Sequence, residues 1–187
     1  MLREGGLLPY HFEFTGPSDA NAIDAALELS RKATGRQEIV FFTCGQSSVG
    51  PGSIALGGGR LRRNAVDVSL RGLTLAPYDD YLGRVGSTTD YLQKVLLDQY
   101  IGIDLPAAIL VEAVQRKRGM NIARKEWLLS IQTMAKGTGA FLILDDREMG
   151  CGRTGQFFSF EFAGLSPDII VTSNSLSGCS LQLSMLS

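Results

Sequence analysis

Between Ser18 and Thr34 the chain reads SDANAIDAALELSRKAT, which places Ala22, Ile23, Ala26, Leu27 and Leu29 around one face at helical spacing. Ser18 or Asp19 stands where an N-cap is needed and Gly35 where a helix stops, so the pattern predicts a helix with both ends defined. Directly after it, EIVFFT at 38–43 is β-branched and aromatic without polar alternation, and predicts a buried strand. A glycine-rich passage from Gly45 to Gly59 predicts loop with room for a short helix. Beyond it, short apolar runs and helical periods take turns. They predict a strand at Leu73–Ala76, a helix near Thr88–Leu97, a strand at Ala107–Ala113, a helix at Lys125–Lys136, and strands at Ala140–Leu144 and Asp168–Val171. The final SLQLSMLS predicts one more short strand.

Strands alternating with helical stretches imply parallel βα units. The continuous runs AAILVEAV and AFLIL imply a sheet covered on both faces, because a half-exposed strand would alternate. The expected fold class is therefore α/β, a mainly parallel sheet covered by helices on both faces, in a single domain over residues 1–187. No internal repeat, low-complexity segment or domain boundary interrupts the pattern. A hydrophobic content of 44% against 20% charged residues gives a chain of 187 residues enough apolar surface for a sizeable core.

Charge and composition remove several chemistries. The formal net charge of -1 offers no bulk attraction to nucleic acid or an anionic membrane. The basic clusters RLRR at Arg60–Arg63 and RKR at Arg116–Arg118 lack interleaved aromatics and read as solvated loops. Cys44, Cys151 and Cys179 form no CxxC pair and suit a reducing compartment. His11 is the sole histidine, so neither a histidine-based metal site nor a Ser/His/Asp triad has the material it needs. No signal-like or bilayer-length apolar run is present, and the expectation is a cytoplasmic protein with no membrane partner.

In an open parallel sheet ligands bind beyond the carboxyl ends of the strands. The positions to inspect are Thr43–Ser47, Glu112–Gln115, Asp145–Glu148 and Thr172–Asn174. ILDDREMGCGRTG places Asp145 and Asp146 at such an end, and strand alternation points Asp145 and Arg147 one way and Asp146 the other. Gly150, Gly152 and Gly155 spell GxGxxG, but several residues separate them from the strand and QFFSFEF behind them is not helix-forming. The stretch reads as a turn-rich loop rather than a nucleotide fingerprint. Glu112 is either functional or the ion-pair partner of a neighbour. Cys44 and Cys151 read as buried, inert thiols, and Trp127, Leu128 and Leu129 as core.

Four stretches, FTGPSDANAIDAALELSRKATGR, DLPAAILVEAVQ, LILDDREMGCGRTGQFFSFEFAGLSPDI and SNSLSG, occur in an order and spacing that resemble class III aminotransferases. These are fold-type I enzymes dependent on pyridoxal phosphate, and the likeness is strongest to the diaminobutyrate–2-oxoglutarate aminotransferases. It runs from about Tyr10 to the end and covers the large, cofactor-binding domain, without the family's N-terminal segment or small C-terminal domain. The resemblance implies a lysine that holds the cofactor as a Schiff base and moves the proton. It also implies a homodimer with sites at the subunit interface.

Carried over position by position, the resemblance gives Asp145 as the aspartate that pairs with the pyridine nitrogen, and retains the GCGRTG loop with Arg153. The other positions differ. The lysine position is Asn174, whose amide neither forms the aldimine nor moves the proton. The aromatic–His pair falls at Gln46 and Ser47, and the Gly-Thr phosphate cup at Asp19 and Ala20. The small apolar residue over the ring is Arg147, able to pair with Asp145, and the glutamine at the ring hydroxyl is Glu148. Arg116, Lys117 and Arg118 replace a Gly-Glu-Gly associated with substrate handling. The reading these positions favour is a catalytically inactive relative that doubtfully binds cofactor or substrate and still self-associates. An active transaminase and a phosphate- or nucleotide-binding module stand as alternatives.

Overall fold

A computed structural model describes residues 11–45, 72–83, 87–98, 100, 103–116, 119–173, 176 and 184–187. In chain order the elements are β1 (Glu13–Gly16), α1 (Asp19–Thr34), β2 (Ile39–Phe42), β3 (Leu73–Ala76), α2 (Thr88–Leu97), β4 (Ala108–Val111), β5 (Val114–Gln115), β6 (Asn121–Ile122), α3 (Lys125–Thr138), β7 (Phe141–Asp145), β8 (Ile169–Thr172) and β9 (Ser184–Leu186). A single 3-10 turn, Glu161–Ala163, lies between β7 and β8.

Among the described residues the main sheet has seven strands in the order β1-β9-β8-β7-β4-β2-β3. Strands β8, β7, β4, β2 and β3 run parallel, while β9 pairs antiparallel with both β8 and β1. Alternation along each strand builds two cores. Val40, Phe42, Ile109, Val111, Leu142 and Leu144 meet Leu92 and Leu96 of α2 and Trp127, Leu128 and Ile131 of α3. On the opposite face Ile39, Phe41, Ala108, Leu110 and Ile143 meet Ala22, Ile23, Ala26 and Leu27 of α1. Helices on both faces explain why these strands carry no polar alternation.

Helix α1 is defined at both ends as its sequence predicts. The Ser18 hydroxyl, rather than the Asp19 carboxylate, accepts from the Asn21 amide at 3.3 Å. Gly35 closes the helix in the left-handed region, its N–H donating to the Arg31 carbonyl at 2.9 Å. Leu29 leaves the predicted apolar face and is 47% exposed, because two helical positions separate it from Leu27 by about 200°.

One strand expectation is corrected, and one strand is added. The run expected as one strand over 107–113 leaves the main sheet after Val111, and Val114–Gln115 pairs antiparallel with Asn121–Ile122 instead. The Tyr78 hydroxyl donates to the Glu112 and Ala113 carbonyls at 2.7 and 3.2 Å, and the Ala123 amide also donates to Ala113 at 3.0 Å. Strand β1, EFTG, is absent from the sequence reading because it is largely exposed and draws its partners from β9 at the far end of the chain. Trp127 and Leu128 are core as expected, and the Trp127 indole N–H reaches Thr88 Oγ1 at 2.7 Å to tie α3 to α2; Leu129 is only half-buried. The cluster at Arg60–Arg63 and Cys179 lie outside the described residues, as does all of the glycine-rich passage after Gly45.

Candidate functional site

The carboxyl ends of β2, β4, β7 and β8 open on one side of the sheet, and the first turn of α1 arrives on the same side. Asp145 ends β7, so Arg147, two residues on, turns back over it. Arg147 Nε donates to Asp145 Oδ1 at 2.7 Å and Nη2 to Asp145 Oδ2 at 2.6 Å, while the Arg147 backbone N–H also reaches Oδ1 at 3.3 Å. These parallel charge-assisted bonds are the bidentate arrangement that suits a guanidinium. The third arm, Nη1, reaches Asp19 Oδ2 in the first turn of α1 at 3.2 Å. Asp145 and Arg147 therefore share a side, as alternation predicts, and the contact to Asp19 is an addition that no local pattern encodes.

The Arg147 side chain is 1% exposed, so its charge must be matched within the fold. Burial works against that charge, but the Asp145 carboxylate, then Asp19 and Glu112, outweigh it and hold the guanidinium more firmly protonated than usual. Glu112, left open by the sequence, is thus a third acidic group acting on Arg147. Glu148 is engaged elsewhere, its carboxylate meeting Arg116 Nε at 3.0 Å. Ala20 is buried behind Asp19. Gln46, Ser47 and Asn174 lie outside the described residues, as do Lys117 and Arg118.

A space bordered by Phe42, Gly45, Glu112, Gln115 and Asp145 has a volume of about 20 Å³, room for about one water molecule. Gln115 closes the stretch Glu112–Gln115 that its place after an apolar run marks for inspection. Its Nε2 donates to the Thr43 carbonyl at 2.9 Å and its Oε1 is buried without a partner. Thr172 Oγ1 and Ser173 Oγ, at the end of β8, are likewise buried without partners.

Asp146 points the opposite way and organises the loop that follows. Its Oδ2 accepts from the Ser159 amide at 3.0 Å and its carbonyl from the Gly150 amide at 3.1 Å. A Cβ on Gly150 would lie 2.7 Å from that carbonyl, which explains the glycine. Gly152 and Gly155 adopt φ of 92° and 93° in successive turns, and a 3-10 turn is the only helical element before β8. The GxGxxG stretch is a turn-rich loop as expected, without the strand–turn–helix context of a nucleotide site. Cys44 and Cys151 are half-buried rather than buried, each at positive φ. No group of three or more His, Cys, Asp or Glu among the described residues could hold a metal, and none of the helices described is long and apolar enough to cross a membrane.

Burial pushes the Asp146 carboxyl from 3.8 up to about 6, the Ser159 hydrogen bonds offsetting part of this and the Asp145 and Glu161 charges adding to it. A raised carboxyl favours the neutral form in the fold. Its stabilising contribution is complete below about 3.8 and lost as pH rises through about 6, a change of about 3 kcal/mol. Asp146→Asn keeps an acceptor for the Ser159 amide and removes the titration. Urea denaturation midpoints of the variant are expected to be flatter across this pH range, with the gain over the parent largest at pH 7.

Nearly all of the chain lines up with a family model. Residues 8–186 match the aminotransferase class-III domain. The chain belongs to the class-III aminotransferases. It is 53% identical over 186 residues to the uncharacterized aminotransferase y4qG of Sinorhizobium fredii, covering 100% of this chain and 41% of that protein. It is 45% identical over 177 residues to the diaminobutyrate–2-oxoglutarate transaminase of Bordetella parapertussis, covering 95% of this chain and 41% of that protein. The chain thus spans well under half the length of these relatives.

Solved transaminases share the fold. An aminotransferase from Bacillus anthracis superposes with a TM-score of 0.86 at 21% identity over 99% of this chain and 44% of its own. The taurine:2-oxoglutarate aminotransferase of Bifidobacterium kashiwanohense, solved with PLP and glutamate, gives 0.83 at 21% identity over 95% of this chain and 42% of its own. The α/β architecture is that of the PLP-dependent transaminases, and the family's chemistry implies pyridoxal phosphate as cofactor.

Proposed function

We propose that this chain is the cofactor-domain portion of a diaminobutyrate–2-oxoglutarate transaminase-like protein in which amino-group transfer has been lost. The observation that carries this reading is the placement of Arg147, buried between Asp145 and Asp19. By resemblance, Asp145 is the partner of the cofactor's pyridine nitrogen, and Asp19 and Ala20 occupy the phosphate cup.

The residues present do not fit the cofactor. Both Asp145 oxygens are engaged by one guanidinium, a buried cation that competes with a ring N–H for the same carboxylate. A helix N-terminus favours an anion by about 0.3–1 kcal/mol, but at α1 the Asp19 carboxylate supplies that anion itself. A phosphate dianion beside it would meet like charge. Asn174, in place of the lysine, removes the covalent anchor and the proton carrier together, and general acid–base help alone is worth about 10²–10⁴-fold.

Self-association belongs to the same reading. Phe14, Leu75, Leu97, Tyr100 and Ile122 are large apolar side chains left exposed, a feature that favours contact with a second copy. Incubation of the purified chain with diaminobutyrate, 2-oxoglutarate and pyridoxal phosphate is expected to give no glutamate above the protein-free control. Glutamate formation that scales with protein concentration would refute the proposal.

A further inference from the structure

We infer that Asp145 and Asp19 form a receptor for a planar cation and that Arg147 is its built-in ligand, joining β7 to the start of α1. That these are positions the resemblance gives to the cofactor rests on the reading above; the cation receptor rests on the geometry alone.

Three features define the receptor. Asp145 presents both carboxylate oxygens in one plane, at 2.7 and 2.6 Å from Nε and Nη2, a fork that an ammonium does not reproduce. The Arg147 backbone N–H bond to Oδ1 at 3.3 Å helps orient that carboxylate independently of the side chain. Asp19, from a different element 128 positions away, takes the remaining arm at 3.2 Å. Two carboxylates around one guanidinium leave the site selective for positive charge, and Glu112 adds to that field. The Asp19 side chain is 26% exposed, against 5% for Asp145. Shortening Arg147 therefore opens the receptor from the Asp19 side while both carboxylates remain.

The test uses the full 187-residue chain and its Arg147→Ala variant. Ethylguanidinium, the fragment that this truncation removes, is the probe. Ethylammonium supplies charge without the fork, and inorganic phosphate is the anion control. The variant is expected to melt on the order of 10 °C below the parent, since it leaves two carboxylates without their cation. Millimolar ethylguanidinium should restore several degrees saturably, ethylammonium less, and phosphate nothing, with the parent insensitive to all three.

An unshifted variant, or phosphate restoring as much as ethylguanidinium, would overturn the inference. If Arg147→Ala does not fold, Arg147→Lys keeps the charge and removes the fork. It should lower the urea midpoint clearly, and a parent-like midpoint would count against the receptor equally. Amino-group transfer by the parent would refute the lost-activity reading while leaving the ethylguanidinium result standing, so the two claims fail separately.

Discussion

Asp145→Ala lowers the stability of the folded chain by about 3–5 kcal/mol, the cost of stranding a buried charge when one partner is removed. The Arg147 side chain is 1% exposed and donates to both Asp145 oxygens. Asp19 and the more distant Glu112 then have to balance a guanidinium held away from water. The double change Asp145→Ala with Arg147→Met removes the stranded charge along with its partner and should recover most of the loss, because a buried ion pair replaced by apolar side chains is often close to neutral. Urea denaturation of the parent, the single variant and the double variant checks both statements. A single variant within about 1 kcal/mol of the parent would show that Asp145 does not balance Arg147.

The sequence made local features readable and hid those that depend on distant partners. Helix α1 was legible because its cap, apolar face and stop lie within eighteen consecutive positions, Ser18 to Gly35. The buried strands were legible because Ile39–Phe42 and Ala108–Val111 are apolar on both faces. Strand β1 was not, since its four residues carry no burial pattern and acquire a partner only when Ser184–Leu186 arrives. The same limit governs the site. The pairing of Arg147 with Asp145 is local, two residues apart in the turn after β7, whereas the arm to Asp19 spans 128 positions. The missed signal was that Asp19 and Arg147 both fall on positions the resemblance assigns to the cofactor, so they had to face each other.

A lysine placed at 174, where the resemblance puts the family's, is not expected to give cofactor binding by itself. In Asn174→Lys the Arg147 guanidinium still holds both Asp145 oxygens and Asp19 still sets a carboxylate at the head of α1. Adding Arg147→Val, Asp19→Gly and Ala20→Thr frees Asp145, empties the space over it and returns a hydroxyl donor to the helix start. Removing the like charge and the competing cation is worth a few kcal/mol, so the fourfold variant should bind pyridoxal phosphate at least about 100-fold more tightly than Asn174→Lys alone. Equal affinity of the two would place the obstruction elsewhere.

The decisive measurement is a pyridoxal phosphate titration of the unmodified chain beside this fourfold variant, followed by borohydride reduction, desalting and mass mapping. For the unmodified chain we predict no saturable visible band and no single labelled lysine, with a saturable band and label at position 174 in the variant. A saturable band in the unmodified chain that survives desalting and reduces onto one lysine would contradict a site closed by its own arginine.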